Sequence, residues 1–468
     1  MTRLDAPWPE LAGRLAGALR LPGEPDYRHL TTPMNATAEQ RPAAVVAAGD
    51  HADLAAAVRF AARHGLRITP QATGHGAGSD LGDGHLLVDT RRLTEVTIDP
   101  VARTALVGAG ALWSDVADPA ERHGLQGLAG TALDVGVCGY TCYGGFSWLA
   151  RQYGLGSGRL REVEYVDHTG RLRRATEEED PEVLWAYRGG GGVGLAARML
   201  IELVPVHTVW AGALAWPSEM MPEIVERWME VTAEVSEAVT SIAMLLELPP
   251  LPAIPEEFRG RSIVHLGICA TDAEEGRAFA RACQLGFPAP IVDSLRHRTG
   301  PRLGSIHLDP DAPNPGLADA RMLRALRPET AVAALSATGI GAGGPLIMAE
   351  LRHLGGAVGR PVREGALTSV DAQYLIHAVG HAGDHAEAAQ LDQRLAAMLA
   401  ACAPALTGQC SAASRAGRLD AFTALIPPHA ERLARVLAEH DPGSLFQPAR
   451  ALVPDRPGAI TRTASRWN

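Results

Sequence analysis

The chain is 468 residues long, with 46% hydrophobic and 21% charged residues and a formal net charge of −10. That length exceeds one ordinary core and predicts about two or three domains of a soluble globular protein. The acidic balance, with no basic block, argues against nucleic acid or an anionic membrane as partner.

Residues 1–36 read as a polar lead with one short helix over Glu10–Leu19. Ala43–Ala48 is a short strand, and Asp50 caps a helix through Ala62 that lines up Leu54, Ala57, Val58 and Ala61 on one face. Strands follow at Leu66–Pro70, Leu86–Asp89, Val96–Asp99 and Thr104–Gly108. The stretch 130–160 is glycine-dense, and Glu162–Asp167 with Leu172–Ala175 forms a hairpin around His168-Thr-Gly170. A strand over 198–206 ends at Pro205. This alternation of short strands and helices is an α+β pattern.

After residue 207 strands near Ser241–Leu248 and Ser262–Cys269 alternate with amphipathic helices near 219–235 and 272–285. A helix-rich stretch over 316–338 follows, then strands at Pro345–His353 and Ala372–Val379. The pattern predicts a sheet covered by helices. A helix over His429–His440 and the segment Asp441–Phe446 close the chain as a cap. No repeat or long low-complexity linker interrupts it.

The 43 Lys+Arg residues are all arginine. This removes lysine Schiff-base chemistry and any P-loop lysine. The six cysteines (Cys138, Cys142, Cys269, Cys283, Cys402, Cys410) have no paired CxxC spacing, so neither a disulfide framework nor a zinc site is expected. The N-terminus has no apolar core behind a basic start, and no long apolar run occurs elsewhere. A cytoplasmic protein is therefore expected. The alanine and arginine bias suits a GC-rich bacterial genome.

Three segments carry chemistry. Gln71-Ala-Thr-Gly-His-Gly-Ala-Gly-Ser79 sets His75 among glycines directly after a strand, where backbone can approach a bulky ligand closely. Gly130 to Gly154 is the long glycine segment. Arg188-Gly-Gly-Gly-Gly-Val-Gly194 satisfies GxGxxG, but a strand-like run, Ala197–Val204, follows it where a dinucleotide fold needs a crossover helix. That leaves a glycine-rich surface turn or a diphosphate cradle in some other fold.

Taken together, these segments resemble the berberine-bridge-enzyme-like family of FAD oxidoreductases. The family's histidine in a glycine loop corresponds to His75 in Thr73-Gly-His-Gly76. Its Trp-Leu-Ser-Arg-Lys-Tyr-Gly-Leu type motif corresponds to Trp148-Leu-Ala-Arg-Gln-Tyr-Gly-Leu155. Its Leu-Phe-Trp-Ala-Leu-Arg-Gly-Gly-Gly corresponds to Val183-Leu-Trp-Ala-Tyr-Arg-Gly-Gly-Gly191, and its Tyr-Asp-Pro-Asp-Asn-Leu-Phe to Glu439-His-Asp-Pro-Gly-Ser-Leu-Phe446. Glu350-Leu-Arg-His-Leu-Gly-Gly356 is similar to a strand of bacterial members. The resemblance runs from about Arg41 to about Val453.

The resemblance implies a two-domain α+β, PCMH-type FAD-binding fold with a helix-backed antiparallel-sheet substrate domain. The flavin domain would be residues 1–207 (core about 38–207), the substrate domain 208–429, with 430–468 returning to the flavin domain. His75 falls where the family bonds the flavin 8α-methyl carbon. The family's second, cysteinyl link falls on Ala132, so one covalent bond is expected. Thr73, Gly74, Gly76, Ala77, Gly78 and Ser79 would surround the flavin from the histidine loop. Gly130, Thr131, Asp134, Val135, Gly136, Gly139, Tyr140, Gly144 and Gly145 would do so from the glycine segment. Gly189, Gly190, Gly191 and Val193 would complete the clasp. Val135 falls at the family's oxygen gate, and Tyr140 where many members have a histidine near the ribityl chain.

On the substrate side the chain departs from the family. The usual Tyr-Val-Asn segment corresponds to Leu406-Thr-Gly-Gln-Cys-Ser-Ala-Ala413, which has no tyrosine. The candidate bases are Tyr374, His353, Glu350 and His377. His377, His381 and His385 share a face only on a helix, which Gly380 and Gly383 interrupt, so no metal is expected. The low aromatic content, 5%, suggests an aliphatic pocket for an apolar or alicyclic substrate.

The resemblance implies hydride transfer from a C–H beside a hydroxyl or amine of a small, secondary-metabolite-like substrate. Oxygen would reoxidise the flavin, in a monomer or homodimer. The alternatives are a non-redox cyclase or isomerase that keeps FAD, and a binding protein on a degenerate flavin fold.

Overall fold

The structure is a computed structural model. It describes residues 6–453 except 79–80, 249, 251–257, 308, 310–311, 314, 383, 412–423 and 451. Ser79, and Ala412 and Ala413 at the end of the 406–413 segment, lie outside the described residues.

Three sheets organise the chain. The first is built from β1 (Ala18–Arg20), β2 (Ala44–Ala47), β3 (Arg67–Gln71) and β4 (His85–Asp89) in the order β1-β2-β4-β3. The pairs β2–β4 and β4–β3 are parallel, and β1 is antiparallel to β2. The crossover that parallel strands require is the helix His51–His64. The Asp50 carboxylate caps it by accepting the Asp53 N–H at 3.0 Å, and Gly65, at φ 65°, ends it. Leu54, Ala57, Val58 and Ala61 are buried as their spacing predicts. The helix expected over Glu10–Leu19 stops at Ala12, because Ala18–Arg20 pairs with β2.

The second sheet is antiparallel: β5 (Val96–Asp99), β6 (Thr104–Gly108), β7 (Leu160–Val166), β8 (Leu172–Ala175) and β9 (Leu195–Glu202), in the order β5-β6-β9-β7-β8. The run after Gly194 is thus a strand, as the sequence suggests.

The third sheet contains β10 (Val209–Pro217), β11 (Val239–Glu247), β12 (Ser262–Ala270), β13 (Val292–Asp293), β14 (Arg296–Arg298), β15 (Gly316–Leu323), β16 (Leu346–His353), β17 (Tyr374–His381) and β18 (Leu406–Cys410). Its order is β13-β10-β12-β11-β16-β17-β15-β18, with β14 on β10. The helices Met221–Thr232, Ala273–Gln284, Pro328–Ser336 and His385–Ala401 bury one face in a common core with Trp216, Trp228, Leu266 and Ile376. The other face packs with Leu128 and with Trp148 and Leu149 of the glycine segment. The stretch 316–338, read as helical, begins instead as β15. Its alanines sit on a doubly covered strand, where helix propensity yields to tertiary burial.

Two staples join the parts. Arg151, buried in the helix Ala150–Tyr153, donates to Val239 O (2.8 Å), His353 Nε2 (2.8 Å), Val235 O (3.3 Å), Ser236 O (3.2 Å) and Leu354 O. At the chain's end, the helix Pro427–His440 lays Arg432 over the Trp185 ring at 4.2 Å. The Asp441 carboxylate then accepts the N–H groups of Leu445 (2.8 Å) and Phe446 (3.1 Å), and Phe446 bridges to Ile68.

Replacing Arg151 strands several buried acceptors at once. Arg151→Ala is expected to lower the free energy of urea unfolding by about 3 kcal/mol or more. Arg151→Lys, with a point charge in place of a planar fork, is expected to recover only a minor part.

Candidate active site

The loop after β3 turns on Gly74, at φ 76°, where an added Cβ would lie 2.5 Å from Pro33 Cβ. This sets up His75, whose Nδ1 lies 2.8 Å from Thr73 Oγ1 and whose Nε2 lies 3.5 Å from Asp134 Oδ2. Asp134 belongs to the glycine segment, so the first two glycine regions meet at this imidazole. They meet again where a Cβ on Gly136 would be 3.3 Å from Ala72 Cβ. Residues 72–76 and 131–135 are half-buried within an otherwise buried domain, and Gly76 and Gly139 face open space. The walls are fixed from outside: Gly76 O accepts Arg450 Nε at 3.0 Å, and Ala77 O accepts Asn35 Nδ2. Gly78 packs against the Arg450 side chain.

The Tyr140 ring is wedged between Gly130, Gly145 and Gly156, edge-on to Trp113 at 5.4 Å. Its hydroxyl is buried and has no hydrogen-bond partner among the described residues; burial raises its pKa. The Val135 carbonyl accepts the Trp113 N–H at 3.1 Å. Gly144, at φ 103°, rests on Leu367.

The third glycine turn is different. A Cβ on Gly189 would lie 2.4 Å from Leu367 O, and one on Gly190 2.5 Å from Ala186 O. Protein thus fills the Cβ side of these two glycines, and Val193 is buried in the same domain core. Gly191 alone stands at the edge, 3.6 Å in Cβ terms from the Tyr143 hydroxyl, which in turn meets the Arg450 backbone. Arg188, at the start of this motif, is structural: it donates to Glu177 at 2.6 Å and to Leu160 O at 2.9 Å.

The four candidate bases divide between the two faces of the third sheet. Tyr374 and His353 are opposite one another on the helix-covered face, stacked at 5.6 Å beside Trp228. The Tyr374 hydroxyl meets Thr232 Oγ1 at 2.9 Å, and His353 accepts from Arg151. Both line a 440 Å³ cavity with Arg151, Thr232, Ser236 and Gln373. Burial and Arg151 push His353 down to about 2, so its ring is neutral. Of the four candidate bases, Tyr374 and His353 are thus turned away from the other two.

Glu350 and His377 lie on the opposite face, which meets the glycine segment. Ala320, His377, Glu350, Met244 and His265 form one row of directly paired positions across five strands. Glu350 is 1% exposed. Its Oε2 lies 2.9 Å from His307 Nε2, and its Oε1 lies 3.1 Å from Arg352 Nη2 and 3.4 Å from His377 Nδ1. His307 Nδ1 lies 2.9 Å from Asp309 Oδ1. Thr131, of the glycine segment, approaches Asp309 and helps keep it ionised. The same segments touch where a Cβ on Gly304 would meet Leu133 at 3.4 Å.

Burial opposes charge on His307, Asp309 and Glu350, but pairing prevails at all three. Asp309 and Glu350 raise His307 to about 10, His307 lowers Asp309 to about 2, and Arg352 and His307 hold Glu350 well below the carboxylate range. His265 has no such partner: burial, aided by His307, takes it down to about 4. Sequence reading missed His307, Asp309 and His265, which sit outside every motif, and passed over Arg352 within the Glu350–Gly356 strand motif. The closely spaced His307 and Asp309 were the one available signal.

His377 and His381 lie on β17 while His385 opens the next helix, so the three share no helical face.

A groove floored by a glycine-set imidazole and roofed by a helix-backed antiparallel sheet defines a flavin-binding fold. The residues present fit FAD: two glycines border open space, and one buried hydroxyl lacks a partner. Residues 42–176 match the family model described as an FAD binding domain. Over 194 residues the chain is 30% identical to (R)-6-hydroxynicotine oxidase of Paenarthrobacter nicotinovorans, covering 41% of this chain and 40% of that protein. Over 170 residues it is 34% identical to xylooligosaccharide oxidase of Thermothelomyces thermophilus, covering 36% and 34%. The aligned regions thus span well under half of these relatives. The solved 6-hydroxy-D-nicotine oxidase of Arthrobacter nicotinovorans superposes with a TM-score of 0.81 at 19% identity, over 94% of this chain and 98% of that one. A Physcomitrella patens BBE-like 1 structure gives 0.81 at 17%, over 96% and 99%. The chain therefore carries an FAD binding domain over residues 42–176 and shares the fold of these solved flavin enzymes.

The cluster has a pH signature. His307 has its pKa raised from 6.5 to about 10, so its contribution to stability is complete below pH 6.5 and is lost as pH rises through about 10. Chemical denaturation from pH 6 to pH 10 should show wild type losing more stability than His307→Gln, with the gap closing toward pH 10.

Proposed function

We propose that the protein is an FAD-dependent oxidase that removes a hydride from a C–H beside a hydroxyl or amine of a small molecule. Oxygen is the electron acceptor in this reading, as the printed names of the related oxidases suggest. The observation that carries it is the buried cluster of His307, Glu350, Arg352 and His377, placed on the sheet face that meets the glycine groove. Residues 1–207 and 430–468 would form the flavin domain and 208–429 the roof. Among the described residues no helix is long and apolar enough to cross a membrane, and the proposed setting is the cytoplasm.

In this reading His75 anchors the ring edge, and Thr73 and Asp134 orient its two nitrogens. A carboxylate at Nε2 raises the electron density available at Nδ1 once the Thr73 hydroxyl turns aside. Gly74, Gly76 and Gly139 hold the backbone close, and Gly130 and Gly145 position Tyr140, whose free hydroxyl is left to meet the cofactor. Bound FAD supplies the hydride acceptor. His377 is the proton acceptor for the substrate: Glu350 takes its Nδ1–H, which leaves Nε2 as the basic atom. Its side chain is 15% exposed against 1% for Glu350, so it is the member open to a substrate.

The test is anaerobic bleaching of the yellow protein by a library of small alcohols and amines, with peroxide measured on admitting air. For any substrate found, His377→Ala is expected to slow bleaching about 10²-fold. Tyr374→Phe is expected to stay within about twofold, since its hydroxyl meets Thr232 on the helix-covered face. The reverse ranking would refute the assignment.

A further inference from the structure

The 440 Å³ cavity on the helix-covered face lies across the third sheet from the glycine groove, and the proposed oxidation makes no use of it. Its volume falls in the range of small-molecule sites, about 300–1,000 Å³. Its floor is polar and buried: Thr232 and His353 are 3% exposed, Arg151 5% and Tyr374 7%. Its mouth is formed by exposed residues, among them Ala233, Ser236, Ala325 and Gln373.

Two groups on this floor are incompletely answered by protein. Arg151 spends its N–H groups on neutral acceptors: the carbonyls of Val239, Leu354, Val235 and Ser236, and His353 Nε2. Glu237, the other charged side chain that lines the cavity, is engaged through both oxygens by Arg360, at 2.8 and 2.7 Å. A buried guanidinium with neutral partners keeps its whole charge. His353 is the second group. Its Nε2 accepts from Arg151, so the neutral ring carries its proton on Nδ1. That Nδ1 is buried and has no hydrogen-bond partner among the described residues. Tyr374 offers no further donor: Thr232 Oγ1 gives its own proton to Met229 O, so the Tyr374 hydroxyl donates to Thr232. An unspent N–H and a cation without a counter-ion, on one cavity floor, call for an anion.

We propose that this cavity is a second ligand site, separate from the flavin groove, and that it binds a small organic carboxylate. One carboxylate oxygen accepts the His353 Nδ1–H, and the anionic charge answers Arg151. The rest of the molecule lies against Ala233, Val235, Ala325 and Leu326, which also line the cavity. This apolar lining is what favours an organic anion over an inorganic one. The ligand would sit at the joint that Arg151 already makes, between the end of the helix Met221–Thr232, the end of β16 and the start of β17. Occupancy therefore adds to the fastening of the glycine segment to the substrate sheet. The inference stands apart from the oxidase reading, because none of its groups belongs to the groove.

The test is calorimetric titration of the intact holoprotein at pH 7.5, with the visible spectrum followed in parallel. The probes are cyclohexanecarboxylate, its neutral amide and inorganic phosphate. The carboxylate is expected to bind about tenfold or more tighter than either of the others. It should leave the flavin band unmoved, since the sheet separates the two sites. Ala325→Trp puts a ring into the mouth and should weaken the carboxylate about tenfold or more. Ala233→Trp should do the same, and it keeps the proposal testable if the first variant does not fold. A carboxylate that gives no heat overturns the proposal. So does an amide or phosphate that binds as tightly. Carboxylate binding that persists unchanged in both variants, or that shifts the flavin band, places the ligand in the groove and overturns it as well. A colourless protein would refute the flavin reading and leave the calorimetric result to decide this one.

Discussion

Two carboxylates and two cations, buried together where the third sheet meets the glycine segment, are the constraint on which the rest of the site depends. Any one of these charges alone would be costly at that depth, and removing one partner leaves another uncompensated. Glu350, His307, Asp309 and Arg352 are therefore tolerated only as a set, and the set requires its contributing segments to hold their positions. One is β16. Another is the 300–309 segment, which lies on Thr131 and Leu133 of the glycine region. The pairing thus ties the wall that carries the candidate base to the groove that carries His75. It also fixes His377, because Glu350 has an oxygen directed at its Nδ1.

The sheet acts as a partition, and the two sides have different tasks. On the helix side, Arg151, His353, Tyr374 and Thr232 form a hydrogen-bonded knot whose evident role is to fasten the glycine segment to the substrate sheet. On the groove side the polar groups are fewer and small residues line the face, Ala213, Ala215, Gly267 and Ala320; at Gly267 the Trp148 ring packs close against the sheet. A polar residue on β16 or β17 takes one role or the other according to the parity of its position.

That parity explains what the sequence disclosed and what it hid. Glu350 and His353 are three residues apart, as are Tyr374 and His377. On strands of period two each pair must split between faces. The split was legible from the strand assignments, but which face meets the flavin is decided by how the sheet docks, and no local pattern encodes docking. The histidine loop was legible because its chemistry is contiguous: Thr73, Gly74, His75 and Gly76 make their geometry within four residues, and Asp134 falls in a second glycine run that could be named beforehand. His307 and Asp309 were not legible, since their partner lies 43 residues further on for His307 and they belong to no periodic element. The Arg188-Gly-Gly-Gly run misled in the opposite way. Gly189 and Gly190 are required by the close approach of Leu367 and Ala186, so packing alone accounts for two glycines of a motif that also suggests a ligand cradle. β10 escaped notice because Val209–Trp216 is apolar throughout, a run that periodicity cannot assign to strand or helix.

The account's central claim is that the groove between the Thr73–Gly78 loop and the 130–145 segment holds FAD with His75 as its tether. The most direct measurement is the absorbance of acid-precipitated, washed protein beside that of its supernatant. The account predicts yellow colour in the wild-type pellet, and in the supernatant for His75→Ala. A colourless wild-type pellet, or a His75→Ala pellet as yellow as wild type, would contradict it.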